Sequence, residues 1–308
     1  MGRYAARRLL QMIPIFIGTT LLIFLMVHIL PGDPVRAIYG DKAPDPAQIA
    51  QIKREYGFDK PVLEQYFHYM LNLLKGDFGS NLAGRPVADL MAEAFPVTLR
   101  LTLLAITIEI IIGVGLGAWA GLRAGKAADT GVLVFTLTVI SIPVFVLGFI
   151  ARFIFADELG WLPPNVQDST DYSQLFLPAF VLAMLSMAYV ARLTRTTFAE
   201  NLRADYIRTA LAKGLPRRRI IGVHLLRNSL IPVVTFVGTD VGGFIGGAVI
   251  TEGIFNIQGV GNLLYRAIQT SEGSTVTGVV TVLVLVILLI NLLIDLLYAV
   301  LDPRIRYA

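Results

Sequence analysis

Six apolar stretches, each about as long as a bilayer is thick, constrain the fold of this chain more than any other feature. They cover residues 9–30, 98–120, 132–155, 175–191, 231–250 and 276–301. A hydrocarbon core of about 30 Å is crossed by roughly 20 residues of α-helix. Charged residues make up only 16% of the chain, well below a typical soluble domain. The sequence therefore predicts an all-α integral membrane protein with six transmembrane helices, of which the fourth is short and carries Pro178.

The first apolar stretch follows three arginines, a pattern that signal peptides share. Its 22 residues exceed a typical signal-peptide core, and no small-x-small cleavage site follows before Pro31. We predict an uncleaved first transmembrane helix.

Basic residues predict the orientation of the six spans. Sixteen Lys and Arg lie in the two termini and in the second and fourth loops, whereas the third and fifth loops carry one. Short cytoplasmic loops are enriched in basic residues, and long loops are translocated largely regardless of charge. Both termini are predicted to be cytoplasmic, and the long first loop, residues 31–96, extracytoplasmic. The net charge of +4 needs no nucleic-acid partner, because these loops account for it.

Two loops are large enough to fold. In the outer loop, residues 49–56 and 63–74 place apolar side chains at helical spacing, which predicts short amphipathic helices. Local packing over the helix ends and a surface for an external partner both fit them. The fourth loop, residues 192–230, predicts a short helix from Asp205 that stops at Gly214. Its basic character suits either anionic lipid or a protein partner.

The sequence lacks the residues that metal binding, thiol chemistry and nucleotide binding require. The chain has no cysteine, and its three histidines are far apart, so we expect neither a metal site nor a thiol nucleophile. It has no GxxxxGK[ST] loop to cradle a nucleotide's phosphates. We predict no catalytic residue and no resident cofactor.

Acidic residues inside apolar stretches are costly and usually face protein or water. Glu109, Asp240 and Asp295 lie in or near such stretches. We predict that Glu109 and Asp240 belong to a translocation pathway, and that Asp295 lies near a helix interface.

Glycine and proline mark further positions within the spans. Pro143 should kink the third span, because proline removes a helical hydrogen bond. Four glycines of the fifth span form overlapping small-xxx-small pairs, which suit either helix packing or pore lining: Gly242, Gly243, Gly246 and Gly247. Pro143, Gly243 and Gly247 are therefore added to the pathway candidates. The run Gly113-Val-Gly-Leu-Gly117 superficially fits a dinucleotide fingerprint, but it lies inside an apolar span with no strand before it.

The fourth loop resembles a known family. Residues 206–215, Tyr-Ile-Arg-Thr-Ala-Leu-Ala-Lys-Gly-Leu, and residues 224–232 resemble the ATPase-coupling loop of ABC importer permeases. General importer permeases carry Glu-Ala-Ala where this chain has Arg208-Thr209-Ala210, which is typical of the oligopeptide, dipeptide and nickel group. Other motifs of that group follow in order: Gly32-Asp33-Pro34, Gly76-Asp-Phe-Gly-Ser80, Arg85-Pro-Val87, Pro96-Val-Thr-Leu99, Ser141-Ile-Pro143, Gly160-Trp-Leu-Pro163, Glu252-Gly-Ile-Phe255, Gly259-Val-Gly261 and Asp302-Pro-Arg304.

The resemblance implies one permease domain over residues 1–308, of the first or "B-type" kind, in a bacterial cytoplasmic membrane. It implies import of peptides or related small solutes. The expected partners are a second permease, two ATPase subunits that use ATP and Mg²⁺, and an extracytoplasmic solute-binding protein. The helix in residues 205–214 would dock into the ATPase through these residues: Asp205, Tyr206, Arg208, Thr209, Ala210, Lys213 and Gly214.

Two departures from the family lie on the outer side. Gln258 stands where proline is usual, and residues 271–274, Ser-Glu-Gly-Ser, replace an Asp-Tyr-Pro-like stretch.

An ion-coupled secondary transporter and an intramembrane enzyme are the rival hypotheses. The first would need internal repeats and the second clustered His, Ser or Asp, and neither pattern is evident.

Overall fold

The computed structural model describes residues 2–29 and 60–301. The described chain contains ten helices: α1 (Gly2–Ile29), α2 (Val62–Leu73), α3 (Val87–Gly121), α4 (Ala127–Ser141), α5 (Val144–Glu158), α6 (Tyr172–Asn201), α7 (Asp205–Ala212), α8 (Arg217–Phe255), α9 (Val260–Gln269) and α10 (Gly273–Leu301). The outer helix predicted at residues 49–56, the Gly32 motif and the Asp302 motif lie outside the described residues.

The all-α membrane fold is confirmed. Five helices are long and apolar enough to cross a membrane: α1, α3, α6, α8 and α10. The pair α4 and α5 makes a sixth span if it is counted as one broken crossing.

The third span is broken at Pro143, whereas the sequence predicted a kink. The chain bends by 106° between the axes of α4 and α5. Ile142 leaves the helical conformation, with φ −103° and ψ 129°, because the ring of a following proline disfavours it.

The fourth span is longer than the sequence suggested. α6 runs for 30 residues through Pro178 and beyond the predicted end at residue 191, and it is the most buried of the five unbroken spans. Asp171 caps its first turn by accepting the Ser173 N–H at 2.9 Å. Hydrogen bonding from Ser173 lowers the pKa of the Asp171 carboxyl.

The chain divides into two compact units. The first comprises residues 1–98 and 258–308. In it, α1 packs along α10, and Arg8 Nε lies 2.7 Å from Asp295 Oδ2. Asp295 therefore lies at a helix interface, as predicted. The first turn of α9 is held by a buried hydroxyl, since Thr98 Oγ1 accepts the Val260 N–H at 2.9 Å.

The second unit, residues 99–257, is organised around α6. Gly113, Gly117 and Gly121 recur every fourth residue along α3, on the face that packs against α6. A methyl group at Gly117 would collide with the Ala191 carbonyl and with Thr194 Cβ. Small residues at this spacing let two helix backbones approach closely. The glycine run that superficially matched a nucleotide motif therefore packs helices.

The glycines of the fifth span behave differently. Gly242 is buried, but Gly243, Gly246 and Gly247 are exposed within the described chain. A methyl group at Gly246 would meet no atom within 4 Å. The described residues therefore leave Gly246 uncovered, whereas Gly247 lies against Leu182.

Gly117→Ala should destabilise the protein by about 1–3 kcal/mol, because the added methyl group forces α3 away from α6. Gly115→Ala is the matched control, since a methyl group there meets nothing within 4 Å. Thermal unfolding of the detergent-solubilised protein measures both variants. Equal unfolding temperatures for the two would contradict the proposed close contact.

Candidate coupling and translocation sites

The predicted cytoplasmic-loop helix is present as α7, over Asp205–Ala212. Gly214 adopts φ +71°, a conformation that glycine enters at little cost. Its N–H bonds the Leu211 carbonyl at 2.9 Å, and the Leu215 N–H bonds the Ala210 carbonyl at 3.2 Å. This pair of bonds is a Schellman motif, which ends the helix sharply.

One face of α7 is buried against the ends of α6 and α8. Ile207 and Ala210 belong to an apolar cluster with Phe198, Ile220 and Leu225. Ala210, predicted among the docking residues, therefore packs inside the chain. The cluster fixes the distance of α7 from both long helices.

A chain of hydrogen bonds fixes the rotation of α7. Tyr206 donates its hydroxyl to Asn201 Oδ1 at 2.8 Å. Asn201 Nδ2 in turn donates to the Thr197 carbonyl at 2.9 Å and to Ser229 Oγ at 3.2 Å. Asn201 belongs to α6 and Ser229 to α8, so one side chain on α7 is linked to both helices. Tyr206 was predicted from the sequence, whereas Asn201 and Ser229 were not.

The opposite face of α7 is exposed. Asp205 and Arg208 form a loose, solvent-exposed pair at 3.5 Å, which contributes little to stability. Thr209 and Lys213 are exposed beside them, and so is Leu211, with 59% of its surface accessible. α7 thus presents polar groups around one exposed leucine, on the side predicted to be cytoplasmic.

A second polar contact lies near the same end of α6. Arg195 binds the buried Asp129 with two hydrogen bonds, Nε to Oδ1 at 2.7 Å and Nη2 to Oδ2 at 2.6 Å. The Gly125 N–H donates to the same carboxylate at 2.8 Å. This bidentate pair ties the first turn of α4, and through Gly125 the loop before it, to α6. The contact was not predicted from the sequence, because Asp129 lies just outside the predicted span.

The two acidic pathway candidates meet at a single hydroxyl. Ser186 of α6 lies between Glu109 on α3 and Asp240 on α8, with its Oγ 2.6 Å from Glu109 Oε1 and in contact with Asp240 Oδ2. Glu109 is fully buried in the π-helical turn of α3, and Asp240 is half-buried. The structure thus brings the two predicted residues together and adds Ser186.

The shared hydroxyl cannot serve both acids in the same way. A serine hydroxyl donates one proton, so it cannot donate to two carboxylates at once. Glu109 Oε2 has no hydrogen-bond partner among the described residues, so this acid keeps one buried oxygen without a donor.

The remaining pathway candidates lie at different distances from the acids. Gly243 is one turn after Asp240, where an added methyl group would lie 3.3 Å from Asp240 Oδ1. Gly247 lies against Leu182 of α6. Pro143 lies instead at the exposed break between α4 and α5.

Two family models together match nearly the whole chain. Residues 113–307 match the binding-protein-dependent transport system inner membrane component, and residues 1–102 match the N-terminal model of the same system. The chain belongs to this family. It is an ABC importer permease of the peptide and nickel group, a multi-pass protein of the bacterial inner membrane.

Relatives of this permease match it from end to end. The glutathione transport system permease protein GsiC of Escherichia coli strain K12 is 38% identical over 308 residues, covering all of both chains. GsiC of Salmonella typhi is 37% identical over the same length. Permeases of this family are non-enzymatic subunits, and the matches give no support to an ion-coupled transporter.

In this permease, Tyr206→Phe should loosen α7. Loss of a hydrogen bond of about 1 kcal/mol raises the population of locally opened helix roughly fivefold. Amide hydrogen exchange across residues 207–212 measures this opening. Thr209→Ala is the control, because that exposed hydroxyl bonds only within α7, to the Asp205 carbonyl. Unchanged exchange in Tyr206→Phe would show that the hydroxyl does not hold the helix.

Proposed function

We propose that this chain forms half of the translocation path of an ABC importer for short peptides. Glutathione is the first candidate substrate, because GsiC, the relative matched over its full length, carries that name. The other half comes from a second, homologous permease. An extracytoplasmic binding protein delivers the substrate.

α7 is the observation that carries this proposal. It is a short helix with a sharp stop, buried on one face and exposed on the other. Such a helix transmits a displacement as a rigid body, whereas a loop of this length would absorb it. We assign its exposed face to docking in a cleft of a partner ATPase.

The contacts of α7 define a route for that displacement. A movement of α7 would be transmitted to α6 and α8 through the apolar cluster around Ile207. The Tyr206–Asn201–Ser229 hydrogen bonds would keep these three helices in register. The Asp129–Arg195 pair extends the route to the loop between α3 and α4. The cytoplasmic ends of these spans would then move together.

ATP and Mg²⁺ belong to the partner subunits in this scheme. The chain carries no phosphate-binding loop in its sequence, so it would contribute displacement and a path but no hydrolysis. Two ATPase subunits would serve the two permeases.

The group of Glu109, Ser186 and Asp240 is assigned to the translocation path. A peptide carries an ammonium group, and two neighbouring acidic side chains, one with an oxygen that lacks a donor, can accept its hydrogen bonds. The exposed glycines beside Asp240 leave room for a passing substrate or for the second permease.

Reconstituted import tests the function. Proteoliposomes that hold both permeases and both ATPases, supplied with the binding protein, should accumulate labelled glutathione or dipeptides only when ATP reaches the ATPases. Accumulation driven by a proton or sodium gradient without ATP would contradict the proposal.

Leu211→Glu should lower ATP-dependent import at least tenfold, because it places a charge in the proposed docking face. α7 should still form, since Leu211 is exposed in the free chain. Leu211→Met is the control, because it keeps an apolar side chain at the same exposed position. Import and co-purification of the ATPase are both measured. Import at the wild-type rate by Leu211→Glu would show that this face of α7 does not dock the ATPase.

Glu109→Gln should lower import about tenfold while leaving ATPase docking intact. The substitution keeps the shape of the side chain but removes the acid, and hydrogen bonds to charged groups are worth about 1.5–3 kcal/mol. Thr107→Val is the control on the same helix, since that exposed hydroxyl bonds only to the Leu103 carbonyl. Import at the wild-type rate by Glu109→Gln would argue against a role in the pathway.

A further inference from the structure

α2 carries an apolar stripe that no part of the described chain covers. Leu63, Phe67, Leu71 and Leu74 recur along one face, with 68%, 61%, 41% and 84% of their surfaces exposed. Four large apolar side chains on three turns form a continuous patch, and patches of this kind mark contact surfaces.

A polar stripe runs beside the apolar one. Lys60, Glu64 and His68 follow each other at four-residue spacing, with Lys60 Nζ 2.8 Å from Glu64 Oε1. Asn72 continues the same face. A helix with adjacent apolar and charged faces suits a boundary between hydrocarbon and water.

The third face of α2 carries two tyrosines whose contacts fix the position of α2 along α1 and α10. Tyr66 OH lies 2.9 Å from Thr20 Oγ1 on α1, and Tyr69 OH donates to Thr281 Oγ1 on α10 at 2.8 Å. Within the described chain, α1 continues to Ile29 and α10 begins at Gly273. At 1.5 Å per residue, Thr20 lies at least about 13 Å before the end of α1, and Thr281 lies about 12 Å after the start of α10. Both contacts therefore place α2 beside the length of two candidate membrane spans and not beyond their ends.

The helix that α2 packs against also carries apolar side chains that the described chain leaves exposed. Phe24 of α1 packs against the rings of Tyr66 and Tyr69, at centroid distances of 5.5 and 5.7 Å. On the same stretch of α1, Leu22 and Met26 are exposed, as expected of a membrane-spanning surface.

We propose that α2 is a membrane-interface helix whose Leu63–Phe67–Leu71–Leu74 stripe is buried among lipid acyl chains. The leaflet is the one reached by the C-terminal end of α1, which the distribution of basic residues predicts to be the outer one. Lys60, Glu64 and His68 then lie at the headgroups. The two tyrosines anchor α2 to α1 and α10, so lipid contact at α2 helps to set the depth of both spans.

Spin labelling tests this directly, because the chain has no cysteine. Single-cysteine variants are made in pairs of neighbours, Phe67→Cys with His68→Cys, and Leu71→Cys with Asn72→Cys. Each is labelled in the complete importer, with cysteine-free partner chains, in liposomes of bacterial phospholipid. The ratio of collisions with oxygen to collisions with a water-soluble nickel chelate should be several-fold higher at 67 and 71 than at 68 and 72.

Two other results would overturn the proposal. High nickel accessibility at positions 67 and 71 would place the stripe in water, and its loss when the binding protein is added would make the stripe a protein-docking surface. Exclusion of both oxygen and nickel from positions 67 and 71 would mean that protein covers the stripe, whether residues 30–59 or another subunit.

Discussion

The close contact between α3 and α6 is the constraint on which both candidate sites depend. Gly113, Gly117 and Gly121 let the two backbones meet, and any side chain at Gly117 would collide with the Ala191 carbonyl. In a membrane, where lipid tails are as apolar as leucine, such packing has to replace the hydrophobic drive that holds soluble bundles together. Glu109 and Ser186 come within hydrogen-bond distance because their helices are this close.

α6 is also the source of the polar contacts in both sites. Its Ser186 contacts both Glu109 and Asp240, its Arg195 binds Asp129, and its Asn201 links Tyr206 to Ser229. Polar groups in an apolar bundle are stable only with partners, so each contact fixes a neighbouring helix in position and rotation. In the proposed importer, α6 would thus join the coupling surface to the translocation path.

Local pattern predicted much of the fold. The lengths of the apolar stretches predicted the positions of the spans. Asp205, the helical spacing after it and Gly214 predicted α7, because the start and the end of this helix are decided within ten residues. The prediction failed where packing overrides local pattern. The sequence predicted a loop from residue 192 onward, yet α6 continues to Asn201 because α3, α4 and α8 pack against it. Pro143 broke its span because its ring keeps Ile142 out of the helical conformation.

The sequence by itself determined the class of protein, the positions of the apolar stretches, the short helix at residues 205–212 and the two acids that we propose for the pathway. Each depends on residue type and short-range spacing. Only the tertiary structure decided that the acids share Ser186, that Asp129 pairs with Arg195, and which glycines pack. The physical reason is that these contacts join residues 54 to 77 positions apart, whose meeting depends on how whole helices pack.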